Sequence, residues 1–333
     1  MDEAATSGLP SRLVESLLAA GQGNARNAVG LLSTGDHSKR LQIAAAAGAA
    51  IESLMKAALA VVVPALLADR GDPHSILVLS GKPGIPEKSY LDCRTISAQD
   101  AKRTLISLSP TLNSISTEID TILVRRNTAL HLNILTEADA TAAARSLAIS
   151  VDALAPFLHI NLSEFWGEAL YDYAMALVEK AMDERRLLLQ QLEAAARERL
   201  ERLKQIDPQV LELWATERSA PPEETEDNDE GYREAHQCPI CEWWGWLYGS
   251  ISRGEVFVLD HRYGTDLLVE RTWDSSLFIC EVCGLRLEGA VLNVSGFAIS
   301  QSLEAVPADE EEALEYSSRW DDSDYWYEQQ AGK

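Results

Sequence analysis

Apolar positions recur at helical spacing through the first two-thirds of the chain, then give way to short alternating runs. Residues 9–69 read as two or three helices. The clearest stripe is Ile51, Leu54, Met55, Ala58 and Leu59, at i, i+3 and i+4. Ser38 is its expected N-cap and Pro64 its expected kink or end. Residues 70–96 hold Gly71, Pro73, Gly81, Pro83, Gly84 and Pro86 and read as irregular, with 76–79 as a short strand. Ser97 with Asp100 resembles a capping box. Ser109-Pro110 reads as N-cap and first residue of a helix carrying Leu112, Ile115, Ile119, Ile122 and Leu123 on one face and ending near His131. Thr136 caps the next helix, which Pro156 interrupts. A long helix is expected from Ser163 to about Ile206. Its highly charged second half keeps Leu188, Leu192, Leu200 and Leu203, as a solvated amphipathic helix or a short coiled coil would.

Beyond residue 235 the composition shifts to aromatics, β-branched residues and cysteines. Residues 255–259, 266–270 and 276–279 read as short strands. The expected fold is therefore mainly α: a helical bundle (1–160), a long connecting helix (161–218), an acidic linker (219–235), a small β-rich zinc-ribbon-like domain (236–300) and an acidic aromatic tail (301–333).

Charge changes this picture only locally. The net charge is −23. Residues 221–234 hold seven acidic residues and one basic, and residues 301–333 hold ten and two. These two stretches carry −6 and −8, so −14 of the −23 lies in the linker and tail. The acidic balance that would otherwise argue against nucleic-acid binding thus describes mainly those segments. The acidic start Met1-Asp2-Glu3 is unlike a secretory signal. The apolar stretch 43–68 is broken by Glu52, Lys56 and Pro64, so a buried helix is expected rather than a membrane span. A cytoplasmic chain with no membrane partner is the expectation.

Candidate chemistry lies first in Arg125-Arg126-Asn127-Thr128-Ala129-Leu130-His131. RNA cleavage through its own 2′-hydroxyl needs proton transfer and charge stabilisation on phosphate oxygens. Histidine suits the first task, and the permanently charged fork of arginine suits the second. Asn127 and His131 are i, i+4 and share a helix face, whereas Arg126 and His131 are i, i+5, about 140° apart. A common site is easier if the helix ends near His131 or if two subunits bring their motifs together. A surface arginine and a helix-terminal histidine would give the same letters.

The segment Arg126-Asn127-x-x-x-His131, late in a helical bundle, resembles the signature of the HEPN superfamily, the higher eukaryotes and prokaryotes nucleotide-binding domain. The segment Ala50-Ile51-Glu52-Ser53-Leu54-Met55-Lys56-Ala57 resembles that family's early helix, where a Glu and a following Lys recur among apolar residues. The resemblance covers about residues 9–160. It implies a helical domain that dimerises, with a composite site in the cleft. Many members are metal-independent RNases in toxin–antitoxin, CRISPR-associated and antiviral defence systems. Carried over, the resemblance implies that Arg126 stabilises the phosphate, His131 transfers protons and Asn127 orients the site. It also implies that Glu52 pairs with Arg126 or organises the cleft. Arg125 is an alternative to Arg126 in register. The expectation is an RNA endonuclease acting as a homodimer on an RNA substrate. The alternative is a non-catalytic dimerisation and partner-binding protein, since some members have lost catalysis.

The second motif is Cys238-Pro239-Ile240-Cys241 with Cys280-Glu281-Val282-Cys283-Gly284. Two residues between thiols let the chain turn around an ion, and four thiolates suit a closed, structural Zn²⁺ site. The fifth cysteine, Cys93, stands alone. His236 and His261 are reserve ligands. The run Trp243-Trp244-Gly245-Trp246-Leu247-Tyr248 reads as a small aromatic core or as a surface for a protein or small ligand, since few basic residues flank it. The tail around 320–327, acidic and aromatic, is a possible partner-binding segment.

Overall fold

A computed structural model describes residues 9–69, 71–81, 92–221, 225–228, 231–261, 264–297, 300–310, 312–314 and 316. The tail at 320–327 and much of the Gly/Pro-rich stretch, residues 82–91, lie outside them. The chain is mostly helical, with one long helix and a C-terminal antiparallel sheet that holds four clustered cysteines. It divides into two units, Met1–Leu187 and Leu188–Lys333, and the division falls inside the long helix.

The N-terminal unit is a bundle of α1 (Leu9–Ser33), α2 (Arg40–Val62), α3 (Pro73–Leu79), α4 (Ala98–Leu108), α5 (Ser116–Leu132), α6 (Glu137–Leu158), α7 (Leu162–Trp166) and the first part of α8 (Glu168–Leu203). α2 lies centrally, against α1, α4, α5 and α6. Its expected stripe is fully buried: Ile51, Leu54, Met55, Ala58 and Leu59 meet Ile119, Ile122, Leu123, Leu147 and Leu154. Alanines at 44, 46, 47, 50, 57, 58 and 60 are buried around the same helix, and their small side chains let neighbouring backbones come close. α2 and α6 are long and apolar enough to cross a membrane by length and composition. Of their most apolar windows, 56% and 61% are buried inside the protein, as expected of core helices in a bundle.

The helix punctuation follows local chemistry. Thr136 and Asp139 form the full reciprocal capping box at the start of α6. Ser97 caps α4 by accepting the Asp100 backbone N–H. α2 stops at Val62, and Pro64 begins a short 3₁₀ turn. Pro156 sits in the last turn of α6, which ends with His159 in the left-handed region. Four expectations are corrected. The helix expected from Ser109-Pro110 opens as a 3₁₀ turn over Pro110–Ile115, without a side-chain cap from Ser109, and is α-helical only from Ser116. Residues 76–79 are the end of helix α3, because Asp72 caps it and Pro73 starts it. Ser38 lies within a 3₁₀ turn capped by Asp36 and does not cap α2. The helix expected from Ser163 is two helices, broken at Gly167 with φ +74°.

The C-terminal unit contains the rest of α8, α9 (Pro208–Arg218) and a six-stranded antiparallel sheet: β1 (Thr225–Asn228), β2 (Gly231–Gln237), β3 (Trp244–His261), β4 (Gly264–Ile279), β5 (Arg286–Glu288) and β6 (Ser300–Pro307), with α10 (Gly289–Ser295) before the last strand. The sheet order is β1-β2-β3-β4-β5, and β6 pairs with β4. The stretch read as an acidic linker supplies β1 and most of β2, paired in register from Thr225↔Glu234 to Asn228↔Gly231. The short strands expected at 255–279 are parts of β3 and β4, which run longer because irregularities at Tyr248/Gly249 and Arg253/Val256 absorb breaks in the alternation. Leu247, Trp273, Phe278, Val282, Leu287 and Leu292 form the core, with Leu192 and Leu200 of α8 and Trp214 of α9 packed against it.

Candidate functional sites

In the N-terminal unit, Gly48, Glu52 and Lys56 follow one another at i, i+4 and i+8, so they share one stripe of α2. Arg126 of α5 comes to this stripe. Its Nη2 lies 3.2 Å from Glu52 Oε2, while Lys56 Nζ lies 2.9 Å from Glu52 Oε1 and donates to Thr95 Oγ1 at 3.1 Å. Glu52 is thus shared by two cations, all three partly buried. The arginine stem lies directly over Gly48: a Cβ there would sit 2.5 Å from Arg126 Cγ and 2.6 Å from its Cβ and Cδ. Only a residue without a side chain leaves this space open.

The adjacent arginine goes elsewhere. Arg125 Nε lies 3.5 Å from Asp139 Oδ1, and its Nη1 donates to the Thr121 carbonyl. Of the two register alternatives, Arg126 reaches Glu52. Hydrogen bonds from the side chain and backbone of Thr136 hold the Asp139 carboxyl below its ordinary value of 3.8, with Arg125 adding to the effect. Asn127 and His131 are exposed. His131 occupies the last turn of α5. The structure therefore brings Glu52, Lys56 and Arg126 together. His131 stands about 1.4 turns further along α5, about 140° around the axis from Arg126. Gly48 and Thr95 were missed by the motif. The G-x₃-E-x₃-K spacing could have revealed Gly48, but nothing local marks Thr95.

α5 is fastened to its neighbours by Glu118. This buried carboxylate accepts a hydrogen bond from Ser146 of α6 at 2.5 Å and pairs with Arg185 of α8. The same contacts satisfy a charge that burial would otherwise disfavour.

The second site lies in the C-terminal unit. The sulfurs of Cys238, Cys241, Cys280 and Cys283 all lie within 4.8 Å of one another. Cys238 and Cys283 are 3.6 Å apart, and Cys241 and Cys280 are 3.4 Å apart. A disulfide would bring a pair to about 2.05 Å. Tetrahedral Zn–S bonds of about 2.3 Å instead space the sulfurs about 3.8 Å apart, close to what is seen. The four residues fit a structural Zn²⁺ site with every position filled by protein. Bound there, the ion would keep the thiols as thiolates and tie the two knuckles together.

The knuckles repeat one hydrogen-bond pattern. Cys238 N–H donates to Trp243 O and Glu242 N–H to Cys238 O; Cys280 N–H donates to Leu285 O and Gly284 N–H to Cys280 O. The residue after each second cysteine is left-handed: Glu242 at φ +66° and Gly284 at φ +75°. His236 is not part of the cluster and lies 3.7 Å from Glu234. The side chain of His261 lies outside the described residues.

The aromatic run divides between two tasks. Trp243 and Trp244 line an open groove of about 700 Å³ with Thr216, Ser219, Ala220, Pro221, Cys241 and Glu242. Trp246 and Tyr248 carry the Arg233 guanidinium, 4.2 Å and 5.9 Å from their ring centres. Searches of protein-family models, of curated proteins and of solved structures found no match to this chain.

Proposed function

We propose that this protein is a metal-independent RNA endonuclease of the HEPN type, with Arg126, Asn127, His131 and Glu52 as its site residues. The observation that carries the reading is the Arg126–Glu52 pair over Gly48, which holds the guanidinium of the Arg-Asn-x₃-His motif in one pose at the α2–α5 contact. An arginine fixed in this way presents its remaining N–H groups to a phosphate at little entropic cost. His131 is the proton-transfer group. Because it lies on another side of α5, the productive site is composite, formed by two copies of the chain. Val124, Asn127 and His131 share the exposed stripe of α5, with Leu130, Leu132 and Ile134 also exposed beside it, and a second copy would cover this surface. In the resembled family such activity serves toxins and antiviral effectors, and we assign this chain the same kind of role. The zinc module then recruits a partner or selects the RNA.

The test is cleavage of total RNA and tRNA without added divalent metal, and again in EDTA, by the parent and by His131→Ala. Cleavage by the parent alone is expected. A second reading, a non-catalytic dimerisation and partner-binding module, is favoured by the wide angle between Arg126 and His131 on one helix. Equal inactivity of parent and variant, with a dimer still present in solution, would select it.

A further inference from the structure

The four zinc thiols are not equivalent. Cys238, Cys280 and Cys283 are buried, whereas Cys241 is only partly so. Cys241 alone among the four lines the groove of Trp243 and Trp244. The other walls come from the end of α9 and the chain after it, through Thr216, Ser219, Ala220 and Pro221. Cys241, one of the four candidate metal ligands, therefore forms part of the wall of an aromatic, open cleft.

We infer that Cys241 is a modification site for flat, aromatic soft electrophiles, of the quinone or maleimide class, which stack on the tryptophans before reacting. The step is a conjugate addition. The Cys241 sulfur forms a C–S bond to the β-carbon, the C=C π bond breaks, and water supplies the proton taken up at the α-carbon. No oxidant or reductant is required. The product is a neutral thioether, a weaker ligand than the thiolate it replaces, so the first knuckle loosens around its metal. The cleft thus couples capture of an aromatic electrophile to the metal that orders the C-terminal sheet. This inference concerns the zinc module alone and stands whether or not the N-terminal unit cleaves RNA.

The test uses the full-length zinc protein with one equivalent of N-phenylmaleimide, followed by peptide mapping and by zinc release to a chromogenic indicator. Cys241 should be labelled about tenfold ahead of Cys238, Cys280 and Cys283. Zinc release should follow its labelling. Cys93, a partly buried thiol outside the cluster, is an internal reference. Thr216 is exposed on α9, so Thr216→Phe should narrow the groove without disturbing the core. It should slow N-phenylmaleimide at Cys241 several-fold while leaving the rate with iodoacetamide, a small reagent that loses iodide, nearly unchanged. Even labelling of the four thiols, labelling of a buried thiol first, or no labelling of any of them would overturn the proposal. So would equal slowing of both reagents in Thr216→Phe, which would reduce the groove to mere access.

Discussion

The Arg126 side chain has room only because position 48 has no Cβ. In Gly48→Ala the new methyl would meet three carbons of Arg126, so the arginine must leave Glu52 or α5 must shift. On the proposed function, RNA cleavage should fall about tenfold or more while the helical CD signal persists, which single-turnover rates on tRNA would measure. Glu242 offers the opposite case. It holds the left-handed position that Gly284 fills in the second knuckle, at a cost of about 1 kcal/mol for a residue with a Cβ. Glu242→Gly should therefore stabilise the C-terminal unit by about that amount, read from the midpoint of denaturant unfolding followed by tryptophan fluorescence. At the start of α6, Thr136→Ala should cost about 1 kcal/mol through loss of the cap. The linked carboxyl of Asp139 titrates below its ordinary value of 3.8. Its contribution is complete above that value and disappears as acid lowers the pH through the folded-state value. The difference between Thr136→Ala and the parent should shrink correspondingly in acid.

At the scale of elements, α5 is held by one buried carboxylate that serves two helices. Glu118→Ala leaves Arg185 without its partner and removes the bond from Ser146. A loss of about 3 kcal/mol is expected in thermal or urea unfolding of the N-terminal unit. Glu118→Gln, which can still accept from Ser146, should lose less. Neither of these two contacts could be read in the sequence, because Glu118, Ser146 and Arg185 are far apart in the chain and each looks like an ordinary polar position on a helix. What could be read was local. The stripe of α2, the cap at Thr136 and the two cysteine knuckles depend on residues only a few positions apart. The strand expected at 76–79 failed because an apolar run of four fits either period, and the capping residue Asp72 decided for helix. The acidic stretch before the knuckles was misread for a related reason. Its charges suggest a linker, yet the backbone pairing of β1 with β2 makes the segment the edge of the sheet. The Arg126–Glu52 meeting lay between these extremes: both residues were visible in motifs, but only the folded bundle brings Arg126 rather than Arg125 to the carboxylate.

At the scale of the molecule, the two units draw on different sources of stability. The bundle has a large apolar core of its own, whereas the sheet gathers a smaller one around Cys238, Cys280 and Cys283. Removing zinc with a strong chelator, or replacing Cys280 with Ser, should abolish the cooperative unfolding of the C-terminal unit and leave that of the bundle in place. Calorimetry would then show one transition where the zinc protein shows two.

The 36 residues of α8 contain neither glycine nor proline, and they belong to both units. Between 188 and 203 the helix keeps its order chiefly by packing its leucines on the zinc-dependent core. When that core melts, this segment becomes a frayed end attached to a folded bundle, with Arg197, Arg199, Arg202 and Lys204 as trypsin targets. Loss of one metal ion would thus be recorded as a clip in the backbone some tens of residues from the nearest thiol. The surviving fragment would carry Arg126 and His131 of α5 intact and be cut away from the four cysteines.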